Sequence, residues 1–597
     1  MPVNDINICV ATANGSGSAS SNNILFKSIF HMGVPCSSKN MFPSNIQGLP
    51  TWYQIRANAE GFMARKDVID VMIIFNPATE IEDVTRVRKG GMVIYDSTKE
   101  LDESLIVEGV QYVGVPAEQL VKDNVKAGVL RKKMRNMVYV GAVAGLFDVS
   151  MDSIEHVLKA TFGNKPEVIE NNLQCIKIGY QSIEEQNITH DLGTLKGIEG
   201  RNEDKIILEG NTAAALGCIF GGVSVVSWYP ITPSSSLAEA IEQYLPKLRP
   251  DKDGKKNYAV IQAEDEIAAA GMVLGASWAG ARSMTCTSGP GLSLMNEMVG
   301  LSYFGEVPCN IFIIQRGGPS TGLPTRTQQS DLLSMYTCSH GDTKHPVLIP
   351  YDMKTSFELS RFSFDLAERL QTTVFYASDL DLGMNLWVSD PLEDSGAPFD
   401  RGEVLNEEDL KARGDEFARF MDEDGDGVAA RTIPGNMHRN AAYFTSGALQ
   451  NSLGRRSEHE DEYRDTLLRV RQKLETARDL IPPPVLLGSG DNKIGFIALG
   501  SSVEATREAV FRLNQSGIEA DIIIPLGLPL HDELYAFIES HEQTYIVEQN
   551  RDGQVLSIIR DERPDLSSKV SCLLIFNGLP ITAGGIIEEY NKAGEAK

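Results

Sequence analysis

The feature that most constrains the fold is an alternation between short apolar runs and segments with helical spacing. In the first part of the chain the apolar runs are INICVAT (6–12), VIDVMIIFN (68–76), GGMVIYD (90–96) and VQYVGVP (110–116). A segment with helical spacing, NILFKSIFHMG (23–33), follows the first run. Strands that alternate with helices predict a parallel sheet covered by helices, and hence an α/β fold.

The same pattern returns after a polar stretch at 184–205, which is typical of a linker. Its predicted strands and helix starts are strands near 223–227, 258–262, 283–287 and 309–315, and helices beginning near Ser236, Asp265 and Leu292. Ser236 and Glu239 have the spacing of a capping box. A stretch rich in both charges then runs to residue 488, and α/β alternation resumes after it.

With 597 residues, one hydrophobic core is not expected, so several domains are predicted. The boundaries that these patterns indicate are 1–190, 205–390, 391–488 as a connector or arm, and 489–597. The formal net charge of −26 disfavours a nucleic-acid or anionic-membrane partner, because both require basic surface. The uncharged stretch Gly210–Ala238 is rich in Gly, Pro and Ser, which favours a buried βα unit over a membrane span.

The eight cysteines form no C-x-x-C pair, and most lie in apolar runs. They are expected to be reduced thiols that pack as small hydrophobes in a cytoplasmic protein. The N-terminus has no basic leader, so no signal peptide is expected. The acidic turn DEDGDG (422–427) has Ile433 where a calcium loop needs a glutamate, so no metal site is predicted there.

The turn GSGSASS (15–21) follows the first predicted strand. Gly15 and Gly17 would let backbone N–H groups approach an anion at a helix N-terminus. Ser20 stands where a dinucleotide-binding turn has its third glycine. An anion site and a plain tight turn both remain open.

Four further turns carry polar residues at predicted strand ends. In YPITPSSS (229–236) two prolines hold Thr232 in a rigid turn. In QAEDEIAAAG (262–271) helical spacing puts Glu266 on a packed face, where a carboxylate needs a partner. TSGPG (287–291) permits close backbone approach, and QRGGPSTGLPTRT (315–327) places Arg316 in a constrained loop. Each turn alone has an ordinary structural explanation, but the strand ends of one parallel sheet are where such folds bind ligands.

Together, the stretches YPITPSS, QAEDEIAAAGMVLGASWAGARSMTCTSGPGLSLMNE and QRGGPSTGLPTRTQQSDL resemble the large subunit of the 2-oxoacid:ferredoxin oxidoreductases. The domain order resembles the 2-oxoglutarate type. The resemblance implies a multidomain α/β chain: a γ-type domain, a thiamine-diphosphate pyrimidine-type domain and a transketolase C-terminal-like domain. It further implies oxidative decarboxylation of a 2-oxoacid with coenzyme A as co-substrate.

By the same resemblance, Glu266 matches the glutamate that binds the thiamine pyrimidine ring, and Thr232 matches a threonine beside the substrate. Arg316 would hold the 2-oxoacid carboxylate, a task that suits a planar guanidinium, and Thr325 would supply a pocket hydroxyl. Gly15 and Gly17 lie where the family's γ domain is implicated in coenzyme A binding, although the family's loop is richer in glycine.

A smaller β subunit would bring Mg²⁺ and [4Fe–4S] clusters, and electrons would pass to ferredoxin. The expected assembly is a dimer of αβ heterodimers that converts 2-oxoglutarate to succinyl-CoA and CO₂. The alternatives are another 2-oxoacid, such as pyruvate or a branched-chain acid, and a non-catalytic scaffold. An independent thiamine-dependent decarboxylase is disfavoured, because the sequence has no credible diphosphate motif.

Overall fold

The computed structural model describes residues 2–44, 49–125, 128–250, 253, 255–414 and 417–595. The chain divides into two compact units. The first unit comprises the residues up to Ile207, together with Asn385–Pro391 and Pro580–Gly584. The second comprises Leu208–Met384, Leu392–Leu579 and the residues from Gly585 onward. The finer boundaries predicted at 190, 391 and 489 stay predictions.

The first unit contains a six-stranded sheet in the order β2-β3-β1-β4-β5-β6. Its strands and helices are β1 Asp5–Ala13, α1 Ser18–His31, β2 Cys36–Met41, β3 Pro50–Asn58, β4 Ile69–Ile74, α2 Glu80–Thr85, β5 Val87–Asp96, β6 Gln111–Val115, α3 Ala117–Asn124, α4 Gly128–Phe147, α5 Met151–Phe162 and α6 Pro166–Glu184. Strands β1, β4, β5 and β6 are parallel, which confirms the predicted parallel arrangement. The antiparallel pair β2–β3 was not predicted, because polar residues interrupt both strands.

Two glycines let α4 and α6 approach closely. A Cβ atom on Gly141 would lie 1.9 Å from the carbonyl oxygen of Ile176, and one on Gly179 would lie 2.0 Å from that of Val138. Only residues without a side chain fit this crossing. The predicted linker, 184–205, begins at the last residue of α6, Glu184, and its residues 185–205 contain no helix and no strand.

The rest of the chain up to residue 389 has the following strands and helices: β7 Ile206–Glu209, α7 Gly210–Phe220, β8 Val225–Trp228, α8 Ser235–Leu248, β9 Ala259–Gln262, α9 Glu266–Trp278, β10 Ser283–Thr287, α10 Gly289–Gly305, β11 Cys309–Gln315, α11 Leu332–Tyr336, β12 Val347–Leu348, α12 Met353–Leu370, β13 Thr373–Asp379, α13 Leu380–Met384 and β14 Leu386–Ser389. The uncharged stretch Gly210–Ala238 contains α7, β8 and the start of α8, as predicted for a βα unit. No helix within the described residues is long and apolar enough to cross a membrane.

The C-terminal part consists of α14 Glu407–Arg413, α15 Glu460–Leu480, β15 Val485–Leu487, β16 Ile494–Ala498, α16 Ser502–Gln515, β17 Ala520–Ile524, β18 Gly527–Leu528, α17 Asp532–Ser540, β19 Gln543–Glu548, α18 Gln554–Glu562, β20 Val570–Leu574 and α19 Ala583–Glu595. The second unit holds a seven-stranded sheet, ordered β18-β12-β13-β11-β10-β8-β9. All its strands are parallel except β18, which pairs antiparallel with β12. A five-stranded sheet follows the order β15-β17-β16-β19-β20.

Two local predictions about helix starts need correction. Helix α8 begins at Ser235, so Ser236 lies inside the helix and the predicted capping box does not form. The Ser236 hydroxyl instead accepts a hydrogen bond of 2.8 Å from Asn211 Nδ2. Helix α10 begins at Gly289 rather than near Leu292, because a proline is compatible with the first helical turn.

Helix α15 is held to the rest of the second unit by a buried cluster of charges. The carboxylate of Glu306 accepts hydrogen bonds from Arg469 and from Lys473 Nζ, the latter at 2.5 Å. Burial alone would raise the pKa of Glu306, but Lys473 and Arg469 hold it well below its ordinary value. All eight cysteines are free, and seven of them are buried.

Candidate active site

Four loops of the second unit meet at one edge of the seven-stranded sheet. Thr232 follows β8, Glu266 follows β9 and Gly289 follows β10, while Arg316 directly follows β11. These four strands are neighbours and parallel, so their carboxyl ends lie at the same edge. The prediction that these loops share one sheet edge is confirmed.

Arg316 is held in one orientation by two backbone carbonyl groups. Its Nη1 donates a hydrogen bond of 2.7 Å to the carbonyl of Thr232, and its Nη2 donates one of 3.1 Å to the carbonyl of Thr321. The side chain is only 7% exposed, and Nε finds no partner within the described part of the chain. A guanidinium has five N–H donors, so this fixed cation retains donors for a ligand.

The loop that carries Arg316 is closed on itself. Gly317 donates its N–H to the carbonyl of Arg326 at 2.8 Å, and Leu323 donates to the carbonyl of Gly317 at 2.7 Å. Gly322 has a φ of +53°, and a Cβ atom there would lie 1.9 Å from the Gly317 carbonyl oxygen. The turn therefore requires glycine at position 322.

Thr325 lies buried in this closed loop. Its backbone carbonyl and its hydroxyl oxygen accept hydrogen bonds from Arg326 Nη1, at 3.0 and 3.5 Å. Within the described residues no hydrogen bond joins Thr325 to Arg316. The pocket role implied for Thr325 therefore stays a prediction.

Glu266 begins helix α9, after Asp265 has capped the helix by accepting the N–H of Ala268 at 2.7 Å. Glu266 is 7% exposed, and its carboxylate forms neither a hydrogen bond nor an ion pair with any residue the structure describes. It packs against Gly291, where a Cβ atom would lie 2.8 Å from Glu266 Cγ and 3.1 Å from Oε1. A nearly buried carboxylate without a protein partner is costly unless a ligand supplies the donor.

Asp331 was not identified from the sequence as a site residue. It occupies the N-cap position of α11, but its side chain does not cap that helix. Its carboxylate instead lies beside Gly289, where a Cβ atom would be 2.8 Å from Oδ2. Burial raises the pKa of Asp331 to about 6, although the nearby Arg316 guanidinium opposes part of this shift. The N-cap position explains why sequence reasoning would assign Asp331 a structural role.

The turn GPG (289–291) therefore has a carboxylate on each side, Glu266 beside Gly291 and Asp331 beside Gly289. The preceding residue, Ser288, is fully buried, and its hydroxyl oxygen has no partner within the described part of the chain. The N-terminus of α10 is thus flanked by two acceptors, the carboxylates of Glu266 and Asp331, and by one donor, the Ser288 hydroxyl. Arg316 faces the same edge from β11.

Gly15 and Gly17 lie in the first unit. Both have positive φ angles, +80° and +86°, and Gly17 is the N-cap residue of α1. Asn136 Nδ2 donates 2.9 Å to the carbonyl of Ser16, and Lys133 Cγ lies 3.3 Å from where a Gly17 Cβ would be. The aliphatic stem of Lys133 thus lies beside the turn, and both sequence interpretations remain open.

The acidic turn brings the carboxylates of Asp422, Asp424 and Asp426 together. Asp422 accepts the N–H groups of Gly425 and Gly427 at 2.8 and 2.9 Å, and Asp426 accepts that of Val428 at 2.7 Å. Hydrogen bonds within the loop account for this convergence.

Two protein-family models match this chain, each over a different segment. Residues 216–386 match the family model of the pyruvate flavodoxin/ferredoxin oxidoreductase thiamine-diphosphate-binding domain. Residues 7–182 match the family model of pyruvate ferredoxin/flavodoxin oxidoreductase. The fold and the site thus define a thiamine-diphosphate-dependent class of oxidoreductase.

Individual relatives identify the family to which the chain belongs within this class of oxidoreductases. The chain is 30% identical to 2-oxoacid:ferredoxin oxidoreductase 1, subunit alpha, of Aeropyrum pernix, over 79% of this chain and 72% of that protein. It is 31% identical to the 2-oxoglutarate synthase subunit KorA of Archaeoglobus fulgidus, over 59% of this chain and 89% of that protein. The chain belongs to the family of 2-oxoacid:ferredoxin oxidoreductase alpha subunits.

Among solved structures, the chain resembles the 2-oxoglutarate:ferredoxin oxidoreductase of Magnetococcus marinus with 2-oxoglutarate, coenzyme A and succinyl-CoA bound. The TM-score is 0.88 and the identity 30%, with 99% of both chains covered. The expected multidomain α/β architecture with a thiamine-diphosphate-binding domain is confirmed. The γ-type and transketolase-like assignments stay predictions.

The unusual pKa of Asp331 predicts a pH-dependent stability. Because the folded-state pKa of about 6 lies above the ordinary 3.8, the folded chain holds this proton more tightly than the unfolded chain. The folded state should therefore lose stability as the pH rises from about 4 to about 6. Asp331→Asn, which carries no such proton, should melt at a higher temperature than the parent above pH 6 and at a similar temperature near pH 4.

Thermal unfolding of the isolated chain across this pH range measures the effect. Glu264→Gln, at an exposed position before α9, controls for the loss of one negative charge. A melting-temperature difference between Asp331→Asn and the parent that does not change with pH would contradict this account of Asp331.

Proposed function

We propose that this chain is the alpha subunit of a 2-oxoglutarate:ferredoxin oxidoreductase. The reaction would convert 2-oxoglutarate and coenzyme A to succinyl-CoA and CO₂, with electrons passing singly to ferredoxin, and it would be reversible. The observation that carries the proposal is Arg316, a buried guanidinium fixed by two carbonyls with donors left for a carboxylate. The Magnetococcus marinus structure contains 2-oxoglutarate, which supports this substrate over other 2-oxoacids.

Glu266 fits the pyrimidine ring of thiamine diphosphate. Its carboxylate lacks a protein partner among the described residues. Gly291 lets it pack close to the start of α10, where a Cβ atom would lie 2.0 Å from Thr287 Oγ1 and 2.8 Å from Glu266 Cγ. A ring nitrogen that shares a proton with Glu266 would supply the missing donor. When bound, thiamine diphosphate supplies a carbon nucleophile and an electron sink for decarboxylation.

The residues of this chain would then bind and orient the substrate. Arg316 would hold a substrate carboxylate through Nε and the unused N–H groups, because charged hydrogen bonds of fixed geometry orient a ligand well. Thr232 supplies the carbonyl that fixes Arg316, so its turn sets the direction of the guanidinium. Thr325, in the same loop, would contribute its hydroxyl to the pocket wall.

A second subunit is supported by the surface of α9 and α10. The solvent side of α9 is uncharged from Ile267 to Trp278 and exposes Ile267, Met272 and Trp278 by 38–44%. Leu294 and Leu301 of α10 are 52% and 36% exposed. An apolar surface next to a site is typical of an interface with another chain.

The proposed partner is a smaller β subunit that would supply Mg²⁺, the diphosphate site and [4Fe–4S] clusters, in a dimer of αβ heterodimers. Ferredoxin would be the external electron acceptor. In the first unit, the Gly15–Gly17 turn and Lys133 are the proposed contact region for coenzyme A, because a helix N-terminus with a nearby cation suits phosphate.

A different 2-oxoacid remains the second candidate substrate. The alpha subunit of 2-oxoacid:ferredoxin oxidoreductase 2 from Aeropyrum pernix, 28% identical over 99% of both proteins, carries a name that specifies no single substrate.

Co-expression with the small subunit tests the proposed function directly. We expect coenzyme-A-dependent reduction of a low-potential dye with 2-oxoglutarate, and a smaller kcat/KM for pyruvate and for branched-chain 2-oxoacids. The isolated chain, the matched control, should contain neither stoichiometric thiamine nor iron and should be inactive. A higher kcat/KM for pyruvate would contradict 2-oxoglutarate as the substrate. Activity of the isolated chain would contradict the proposed requirement for a β subunit.

Arg316→Lys should keep the positive charge but lose the planar, carbonyl-anchored geometry. The loss of one or more charged hydrogen bonds costs about 1.5–3 kcal/mol, which corresponds to a rise in KM for the 2-oxoacid of about tenfold to a hundredfold. Steady-state kinetics of the complex measure this, with Arg326→Lys in the same loop as the control. Unchanged KM and kcat in Arg316→Lys would remove Arg316 from the substrate site.

Glu266→Gln should abolish proton sharing while it preserves the shape of the side chain. Loss of a positioned acid–base group typically slows a reaction about 10²–10⁴-fold, so we expect at least a hundredfold lower kcat in a complex that still assembles. Size-exclusion chromatography and thiamine content show assembly. The exposed neighbour Glu264 provides the control Glu264→Gln, and near-normal turnover of assembled Glu266→Gln would overturn the assignment.

A further inference from the structure

The C-terminal sheet lies outside both matched family ranges, which end at residues 182 and 386. It nevertheless makes a set of specific contacts with the loop that carries Arg316. The contacts converge on one buried carboxylate, that of Asp379 at the end of β13, which is 1% exposed.

Asp379 accepts hydrogen bonds from three side chains and from two backbone N–H groups, those of Leu382 and Ser501. Its Oδ1 accepts from Thr327 Oγ1 at 3.2 Å and from the N–H of Leu382 at 3.0 Å. Its Oδ2 accepts from Gln329 Nε2 at 2.9 Å and from Ser501 Oγ at 2.7 Å. Thr327 and Gln329 belong to the Arg316 loop, whereas Ser501 belongs to the turn between β16 and α16. The carboxylate therefore bonds the loop and the C-terminal part at the same time.

Backbone hydrogen bonds join the same two parts of the chain. Thr327 donates its N–H to the carbonyl of Gly578 at 3.1 Å, and Gln329 donates to that of Gln549 at 2.9 Å. Asn550 Nδ2 donates 3.0 Å to the carbonyl of Gln329. Gln329 is thus held on both sides of its backbone by the C-terminal part.

The contact continues to the start of α11. Gln554 Nε2 donates to the carbonyl of Ser330 at 2.7 Å, and Gln554 Oε1 accepts the N–H of Leu333 at 3.0 Å. Gly500, with a φ of +50°, leaves room for Gln329, because a Cβ atom there would lie 2.6 Å from Gln329 Nε2. Each of these contacts restricts the segment 327–333.

The loop therefore has two fixed ends. Arg316 is bonded to the carbonyls of Thr232 and Thr321, and the far end is bonded to Asp379 and the C-terminal part. Loss of the far anchor would leave the closed turn between them free to shift, and small displacements of a substrate-binding group are costly.

We propose that Asp379 is a positioning residue that, together with Ser501 and Gln329, seats the Arg316 loop on the C-terminal sheet and so sets the affinity for the 2-oxoacid. This rests on the proposed function of Arg316. The C-terminal sheet acquires a role in substrate binding through this network.

Asp379→Asn tests the proposal, because an amide nitrogen would face the donors of Gln329 or Ser501. In the assembled complex we expect KM for the 2-oxoacid to rise about tenfold, with a smaller change in kcat, since the loss of a buried hydrogen bond is worth about a factor of ten. In an Arg316→Lys background, Asp379→Asn should raise KM less than about twofold, because the guanidinium that Asp379 is proposed to position is already absent. Equal effects in both backgrounds would overturn the proposal.

The matched control is Asp521→Asn. Asp521 is also fully buried and accepts N–H groups from Ser489 and Asn492 at 2.9 and 3.0 Å, but it does not contact the loop. It should lower stability without raising KM. If Asp521→Asn raised KM as much as Asp379→Asn does, both effects would follow from lost stability, and the positioning role of Asp379 would be contradicted.

Hydrogen exchange of the isolated chain separates this proposal from the proposed function, because it requires neither substrate nor partner. Peptides from 316–331 should exchange faster in Asp379→Asn, and less so in the milder Ser501→Ala, but not in Asp521→Asn. Unchanged exchange of these peptides in both Asp379→Asn and Ser501→Ala would overturn the positioning role. If the parent complex oxidises no 2-oxoacid, the proposed function fails while the exchange result still decides whether Asp379 holds the loop.

Discussion

The site depends on a guanidinium that the fold prevents from moving. Arg316 is bonded to the carbonyls of Thr232 and Thr321, and it is nearly buried. Burial lowers the pKa of Arg316, and the Asp331 carboxylate opposes part of that shift. The protein surroundings therefore destabilise the charged form of the guanidinium. A cation held at such a cost is retained where an anionic ligand offsets it.

Three other features of the second unit support the proposed site. Glu266 offers a carboxylate without a protein partner among the described residues, and Gly291 lets it pack close to the start of α10. The uncharged face of α9 provides an apolar surface beside this edge. Membership of the 2-oxoacid:ferredoxin oxidoreductase alpha-subunit family is consistent with all three.

Much of the sheet edge could be predicted from the sequence, because apolar runs bounded by glycine and proline define strands and turns locally. Glu266 could be singled out because it begins a helix of small and apolar residues, and Arg316 because it follows an apolar run. Asp331 and Asp379 could not, because their roles depend on partners from distant parts of the chain; Ser501, for example, reaches Asp379 across 122 positions. Periodicity carries no information about such pairings. The capping box at Ser236 was wrongly predicted for a simpler reason, since several consecutive serines can each serve as an N-cap.

The central claim is that this chain binds a 2-oxoacid carboxylate at Arg316 beside a thiamine ring at Glu266. A crystal structure of the assembled complex with thiamine diphosphate and 2-oxoglutarate tests it most directly. The account predicts a substrate carboxylate within about 3 Å of Arg316 nitrogens, with both carbonyl contacts of Arg316 retained, and a pyrimidine nitrogen within the same distance of Glu266. A substrate bound with its carboxylates away from Arg316, or a thiamine ring that does not touch Glu266, would contradict it.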